Sequence, residues 1–499
     1  MDMDFRIPYE RFYSELGRKT DALFHALREA IVSGTLAGGT RLPSSRKLAE
    51  LYGVSRGAVN QAYEMLIAEG YVRAAGGSGT FVAEAQVTEP SGGGRFAGAQ
   101  VQLSDWAQRL TASRNLFASL ETYPVIALSG TDQISFRVGQ VDSSQFPVEE
   151  WKSALHAEVR DMLLADFPDI RSDVEGYLPL REAIAADLRR ERGIRADASQ
   201  ICITNGSMHG IALLTMLLVR PEFPVVVENP GYSGIRRAIT AAGGTILAAA
   251  VDDDGIVPQD WPSQLLVVTP TRQFPTGAVL SAKRRAELLQ WAARRGAVIL
   301  EDDYDSEMRW GGRPVEPLKA LDRDGRVVYM GTFSKTMFVD LRIGYVVLPE
   351  SLVEPFRLAK ALLEPRPPAM VEQRALARFI ASGSYSRHLR RKKRVTGRRL
   401  LAFREEVERR LARWFRFIPA DAGFHMYAEW RGDAASYARL REACGKAGVN
   451  WSVGDALWTD EMPSCSALFG FEHLSESRIA EGARRIEAVA LTLFDEGGE

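Results

Sequence analysis

Val327-Val328-Tyr329-Met330-Gly331-Thr332-Phe333-Ser334-Lys335, followed by Leu341-Arg342-Ile343-Gly344-Tyr345, is the stretch that decides how the larger part of the chain is read. The apolar run has the length of a buried strand. It breaks at Gly331 into two hydroxyls and a lysine. Arg342 then stands just ahead of a second apolar run, Ile343 to Leu348. Burial disfavours an ammonium, so a lysine that ends a buried strand is an unusual choice. A neutral amine there can form a Schiff base with an aldehyde. The hydroxyls and Arg342 suit a phosphate. Taken alone, the same residues also describe a surface lysine in a loop that caps a strand.

Three earlier apolar runs weigh against that plainer reading. Pro224-Val225-Val226-Val227 runs into Glu228-Asn229-Pro230-Gly231-Tyr232. Leu265-Leu266-Val267-Val268 runs into Thr269-Pro270-Thr271-Arg272-Gln273-Phe274-Pro275-Thr276-Gly277. Ala297-Val298-Ile299-Leu300 runs into Glu301-Asp302-Asp303-Tyr304-Asp305. Strands alternating with helical patterns predict an α/β architecture with a mostly parallel sheet. In such sheets ligands gather at the carboxyl ends of the strands. Here those ends carry an aromatic, a Pro-Thr-Gly turn, a carboxylate cluster and the lysine. A pyridine ring with an aldehyde, a phenolic oxygen and a phosphate needs partners of these kinds. A carboxylate keeps the ring nitrogen protonated. A helix start receives the phosphate, and Thr204-Asn205-Gly206-Ser207-Met208-His209 precedes an apolar helix expected over 211–219.

The chain of 499 residues is too long for one ordinary domain. With 46% hydrophobic and 25% charged residues it is globular in composition. A net charge of −1 supplies no global field for nucleic acid or membrane, so any DNA contact must be a local arrangement. Cys202, Cys444 and Cys465 are scattered without metal spacing, so no metal site is expected, and the pattern suits a reducing cytoplasm. The polar start Met1-Asp2-Met3-Asp4-Phe5-Arg6 is not a signal peptide, and no apolar run approaches a membrane span.

The first 83 residues read differently. An amphipathic helix is expected over 20–34, closed by Gly34. A second follows Ser44 or Ser45 as N-cap, with Leu48, Leu51 and Tyr52 on one face. Gly53-Val54 turns, and Ser55 caps a third helix with Val59, Tyr63, Leu66 and Ile67 inward. This is a helix-turn-helix pattern, whose second helix would enter the DNA groove with Ser55, Arg56, Gly57 and Asn60 outward. Residues 71–82 read as a hairpin with a glycine-rich tip. A small helical interaction module would share this geometry, and ten basic against ten acidic residues in 1–85 leave charge uninformative. Residues 84–120 read as a flexible linker around 90–98, with a short helix near 103–116.

Leu42-Pro43-Ser44-Ser45-Arg46, Gly53-Val54-Ser55-Arg56 and Ala68-Glu69-Gly70-Tyr71 closely resemble the winged-helix domain of GntR-type transcription regulators. The resemblance implies that Arg46, Arg56 and Asn60 lie at double-stranded operator DNA, with Ser44, Ser55 and Gly77 as backbone contacts. Residues 121–499 resemble a fold-type I aminotransferase, with Asp173-Val174-Glu175-Gly176-Tyr177 among the matching stretches. The fusion resembles the MocR subfamily of GntR regulators. That resemblance implies pyridoxal 5'-phosphate (PLP) as cofactor and Lys335 as the residue forming the internal aldimine. It places Asp302 on the pyridinium nitrogen, Tyr304 on the ring oxygen and Tyr232 stacked on the ring. Ser207 and Met208 (through backbone amides), Thr332, Ser334 and Arg342 would hold the phosphate. It also implies a head-to-tail homodimer and a small-molecule effector.

Relatives place an arginine shortly before the stretch matching Leu468-Phe469-Gly470-Phe471, where it binds a carboxylate. Here no arginine occurs between Arg441 and Arg478. Either the cation has moved, with Arg272, Arg309 or Arg313 as substitutes, or the ligand is an amine or unusual acid, or PLP itself is the signal, as in PdxR-like members linked to vitamin B6 synthesis. The last requires no missing residue and is the expectation. An active aminotransferase with an accessory DNA-binding domain is the alternative. The basic run Arg387-His388-Leu389-Arg390-Arg391-Lys392-Lys393-Arg394 is expected to be the solvated face of a helix.

Overall fold

The computed structural model describes residues 5–75, 79–83, 102–112, 133–164, 173–310, 316–419, 421–459 and 465–494. Gly77, residues 90–98 of the linker and Arg313 lie outside the described residues. The chain divides into two units, 1–101 and 102–499.

In the first unit, helices run over Tyr9–Leu16, Lys19–Val32, Ser45–Leu51 and Arg56–Ala68. Ser44 Oγ accepts from Lys47 N and Ser55 Oγ from Ala58 N, so both serines cap as their residue type favours. β1 (Val72–Ala75) and β2 (Gly79–Val82) form the antiparallel wing. The core includes Leu23, Leu27, Leu42, Leu48, Val59, Leu66, Val72 and Val82. Two expected inward residues are exposed instead, Leu51 and Ile67. Ala49 and Ala62 are buried in this core. Small residues let packed helices approach closely, which a count of large apolar side chains does not anticipate.

The second unit holds two sheets. β3 (Ile134–Phe136) belongs to the smaller one. The larger is built from β4 (Ile201–Thr204), β5 (Pro224–Asn229), β6 (Thr245–Asp252), β7 (Gly255–Ile256), β8 (Leu265–Val268), β9 (Val298–Asp303), β10 (Val327–Thr332) and β11 (Gly344–Val347). Its order is β4-β11-β10-β9-β8-β5-β6-β7. The five strands from β10 to β6 are parallel; β11 and β7 run antiparallel to them, and β4, paired antiparallel with β11, runs in their direction. The four apolar runs are thus neighbours, and their carboxyl ends share one edge. Met330 lies opposite Asp302 in the β9–β10 register. β12 (Phe415–Phe417), β13 (His425–Trp430), β14 (Val449–Val453) and β15 (Ser466–Gly470) complete the smaller sheet in the order β12-β13-β15-β14-β3. Phe136, Phe403, Phe415 and Phe469 fill its core.

The basic run lies in the helix Ser384–Arg410 and is not solvated throughout. His388 and Lys392 are buried. Residues four apart share a helix face, so two of the run's members point inward while Arg387, Arg390, Arg391, Lys393 and Arg394 face solvent.

Candidate functional site

A cavity of about 340 Å3 opens at the carboxyl edge of the larger sheet, lined by Ser207, Met208, Tyr232, Asp302, Tyr304, Thr332, Ser334, Lys335 and Arg342 among others. Every residue singled out for the cofactor therefore lines one cavity. The helix Ser207–Leu218 begins at its wall and presents the free amides of its first turn. Gly206, before it, has φ +80°, and a Cβ there would sit 2.7 Å from the Arg342 guanidinium, which lies across it. Arg342 also donates to the Asn205 carbonyl at 3.2 Å.

Among the described residues, two buried polar atoms at this wall have no hydrogen-bond partner, Asp302 Oδ1 and Ser334 Oγ. Most buried polar atoms in proteins are hydrogen-bonded, and these two line the cavity, so they mark where a donor and a polar ligand belong. They fit PLP: a protonated ring nitrogen for the carboxylate and a phosphate for the hydroxyl. Burial and the neighbouring carboxylates Asp303 and Asp305 push the Asp302 carboxyl up to about 7. Burial lowers the Lys335 ammonium, with Glu472 and Asp305 opposing. Tyr304 Oη accepts from Arg272 Nη1 at 2.8 Å, which leaves its own proton available to an acceptor.

Arg272, considered as a relocated ligand clamp, is not among the residues that line the cavity. It is buried, and besides Tyr304 it donates to Asp305 Oδ2 at 2.9 Å and the His425 carbonyl at 2.7 Å. Arg309 lines a separate hollow with Arg416 and Tyr427. Where a carboxylate arginine was sought, β15 presents Ser466, Ala467 and Leu468, all buried. Leu468 clusters with Tyr427 and Leu457, and Val138 and Phe274 of the cavity wall pack on them.

Several lining residues carried no local signal. Arg137, Glu472 and His473 come from the smaller sheet's edge. Glu472 is paired with Lys392 at 2.6 Å, both side chains under 5% exposed. Arg399 holds Asp142 at 2.7 Å and also donates to the Glu472 carbonyl. Only the buried spacing of His388 and Lys392 within the basic run could have hinted at an inward face.

On the first unit, Arg46, Arg56 and Asn60 are exposed, Arg56 and Asn60 on the second helix of the helix-turn-helix, with Ser44 and Ser55 at the helix starts.

Together these features define a winged-helix protein fused to an aminotransferase fold. Residues 19–82 match the bacterial regulatory proteins of the gntR family, and residues 131–453 match aminotransferase class I and II. The "Probable rhizopine catabolism regulatory protein MocR" of Rhizobium meliloti is 34% identical over 100% of this chain and 97% of its own length. The pyridoxine biosynthesis transcriptional regulator PdxR of Corynebacterium glutamicum is 32% identical over 75% of each chain. Among solved structures, the α-aminoadipate aminotransferase LysN of Thermus thermophilus superposes with a TM-score of 0.67 at 24% identity, covering 79% of this chain and 98% of that one. The chain belongs to the MocR-type branch of the GntR family. It is a DNA-binding transcription regulator whose larger unit has the fold-type I aminotransferase fold and binds PLP.

Proposed function

We propose that this regulator acts as a homodimeric sensor, in which occupancy of the PLP cavity by a small molecule changes how the winged helices engage paired operator half-sites. The observation that carries it is the cavity itself, with Lys335 beside two partnerless polar atoms in a chain that also carries a DNA-binding domain. PLP, when bound, supplies an aldehyde that takes up an amine and a ring that withdraws electrons. Lys335 offers the amine for that aldehyde. Asp302 holds the proton at the ring nitrogen, Tyr304 donates to the ring oxygen, and Tyr232 covers the ring face. The first-turn amides at Ser207 and Met208, with Thr332, Ser334 and Arg342, bind the phosphate. Arg46, Arg56 and Asn60 contact DNA, with the Ser44, Ser55 and Gly77 backbones at phosphates.

The helix Glu350–Leu363 exposes Leu358, Leu362 and Leu363, an apolar face that supports pairing with a second copy. A signal requires the ligand to bind the DNA-competent states unequally. The full chain is titrated onto operator DNA as apo protein, with PLP, and with PLP plus amines or amino acids. A shift in affinity or footprint with one of these supports sensing. Identical curves under all three conditions would reject it.

A further inference from the structure

We infer that Arg137 is the anchor for an anionic group on the sensed molecule, which is therefore an amine bearing a carboxylate or sulfonate rather than PLP alone or a plain amine. This rests on reading the cavity as the PLP site.

The charged groups lining the cavity are Arg137, Asp302, Asp305, Lys335, Arg342 and Glu472. All but one have work assigned. Asp305 is held by Arg272 at 2.9 Å and Glu472 by Lys392 at 2.6 Å. Arg342 lies over Gly206 at the phosphate end. Lys335 and Asp302 are engaged with the cofactor in the proposed site. Lys335, Asp302 and Arg137 have no ion pair or side-chain hydrogen bond among the described residues, and of these three Arg137 is the one that the cofactor does not engage. A half-buried guanidinium without a partner costs free energy that a forked carboxylate or sulfonate returns.

Its placement is firm. Phe136 is buried in the smaller sheet's core, so the next side chain along an extended backbone turns to the other side, which is the cavity side. His473 Nε2 donates to the Ser135 carbonyl at 2.7 Å on one flank. On the other, Arg399 ties Asp142 to the Glu472 carbonyl. Gly470 lies so close that a Cβ there would be 2.8 Å from the Arg137 carbonyl oxygen. These contacts fix the backbone from which the Arg137 side chain enters the cavity. With Arg272 outside the lining and no cation on β15, Arg137 is, among the described residues, the lining cation that neither the protein nor the cofactor engages. A plain amine would leave it so and add a second positive charge.

The test uses the full-length, PLP-loaded protein and reads the cofactor's visible absorbance. It is titrated with L-alanine, β-alanine, γ-aminobutyrate and taurine, and with ethylamine and propylamine, which lack the anion. The carboxylate and sulfonate arms separate the two anion classes. At least one anionic amine should act at concentrations where the plain amines do not. Arg137→Gln should raise its half-saturating concentration by about tenfold or more and leave the plain amines unaffected. Arg137→Lys should restore part of the loss. The inference is overturned if no anionic amine acts on the wild type, if Arg137→Gln leaves its half-saturating concentration unchanged, or if Arg137→Gln loses the cofactor spectrum. Absence of cofactor absorbance from the wild type would instead reject the PLP site on which the inference stands.

Discussion

At Asp302, burial and two neighbouring carboxylates raise the carboxyl from 3.8 to about 7. The folded state therefore binds this proton more tightly than the unfolded chain. The resulting cost to stability is absent below about pH 4 and grows as pH rises to about 7, where it is nearly complete. A shift of this size corresponds to about 4 kcal/mol as an upper bound. Asp302→Asn should therefore raise the melting temperature of the apo protein at pH 8 and change it little at pH 4, while weakening PLP binding. Calorimetry at the two pH values checks the first part, and an unchanged apo melting temperature at pH 8 would contradict it. Lys335→Ala should abolish the visible band of the lysine-bound cofactor, because Lys335 is the lysine lining this cavity. Retention of that band would remove Lys335 from the site. Lys335, Asp302 and Tyr304 were legible in the sequence because each is a costly residue at the end of an apolar run. Arg137, Glu472 and Lys392 were not. They converge only when the smaller sheet closes the cavity, and their neighbours in sequence bear no mark of it.

Among the elements, the helix Arg56–Ala68 carries the sharpest expectation. Arg56→Ala should cost on the order of 1–3 kcal/mol of operator affinity if the side chain reads a guanine edge. If it meets phosphate only, binding should weaken across sequences alike and the salt slope should fall by about one. Ser55→Ala acts differently, since its Oγ accepts from Ala58 N. That change should lower the unit's own stability by about 1 kcal/mol, read as a melting shift without DNA. Wild-type operator affinity in both Arg56→Ala and Arg46→Ala would take this helix away from DNA. The strands of the larger sheet were readable because parallel strands buried on both faces are short and continuously apolar. The helix faces were read less well. Ala49 and Ala62 are buried while Leu51 and Ile67 face outward, because the close approach of helices selects for small side chains.

For the whole molecule, the expected pairing of two copies can be tested at the exposed leucines of Glu350–Leu363. Leu362→Glu places a charge on a face that pairing would desolvate, and it should raise the dimer dissociation constant by about tenfold or more. Sedimentation of the variant checks this, and an unchanged dimer would move the interface elsewhere. The larger unit's cavity has walls from Arg137 to His473, so nearly all of that unit must be present before the site exists. The first unit's core, by contrast, is complete by Val82. A fragment of residues 1–83 should therefore melt cooperatively by itself. Synthesis proceeds from the N-terminus at about 5–20 residues per second. The winged helix would then leave the ribosome roughly 20–80 seconds before the last cavity wall. During that interval each nascent chain holds a winged helix with no PLP cavity attached, and the delay is set by the order in which the two units are encoded.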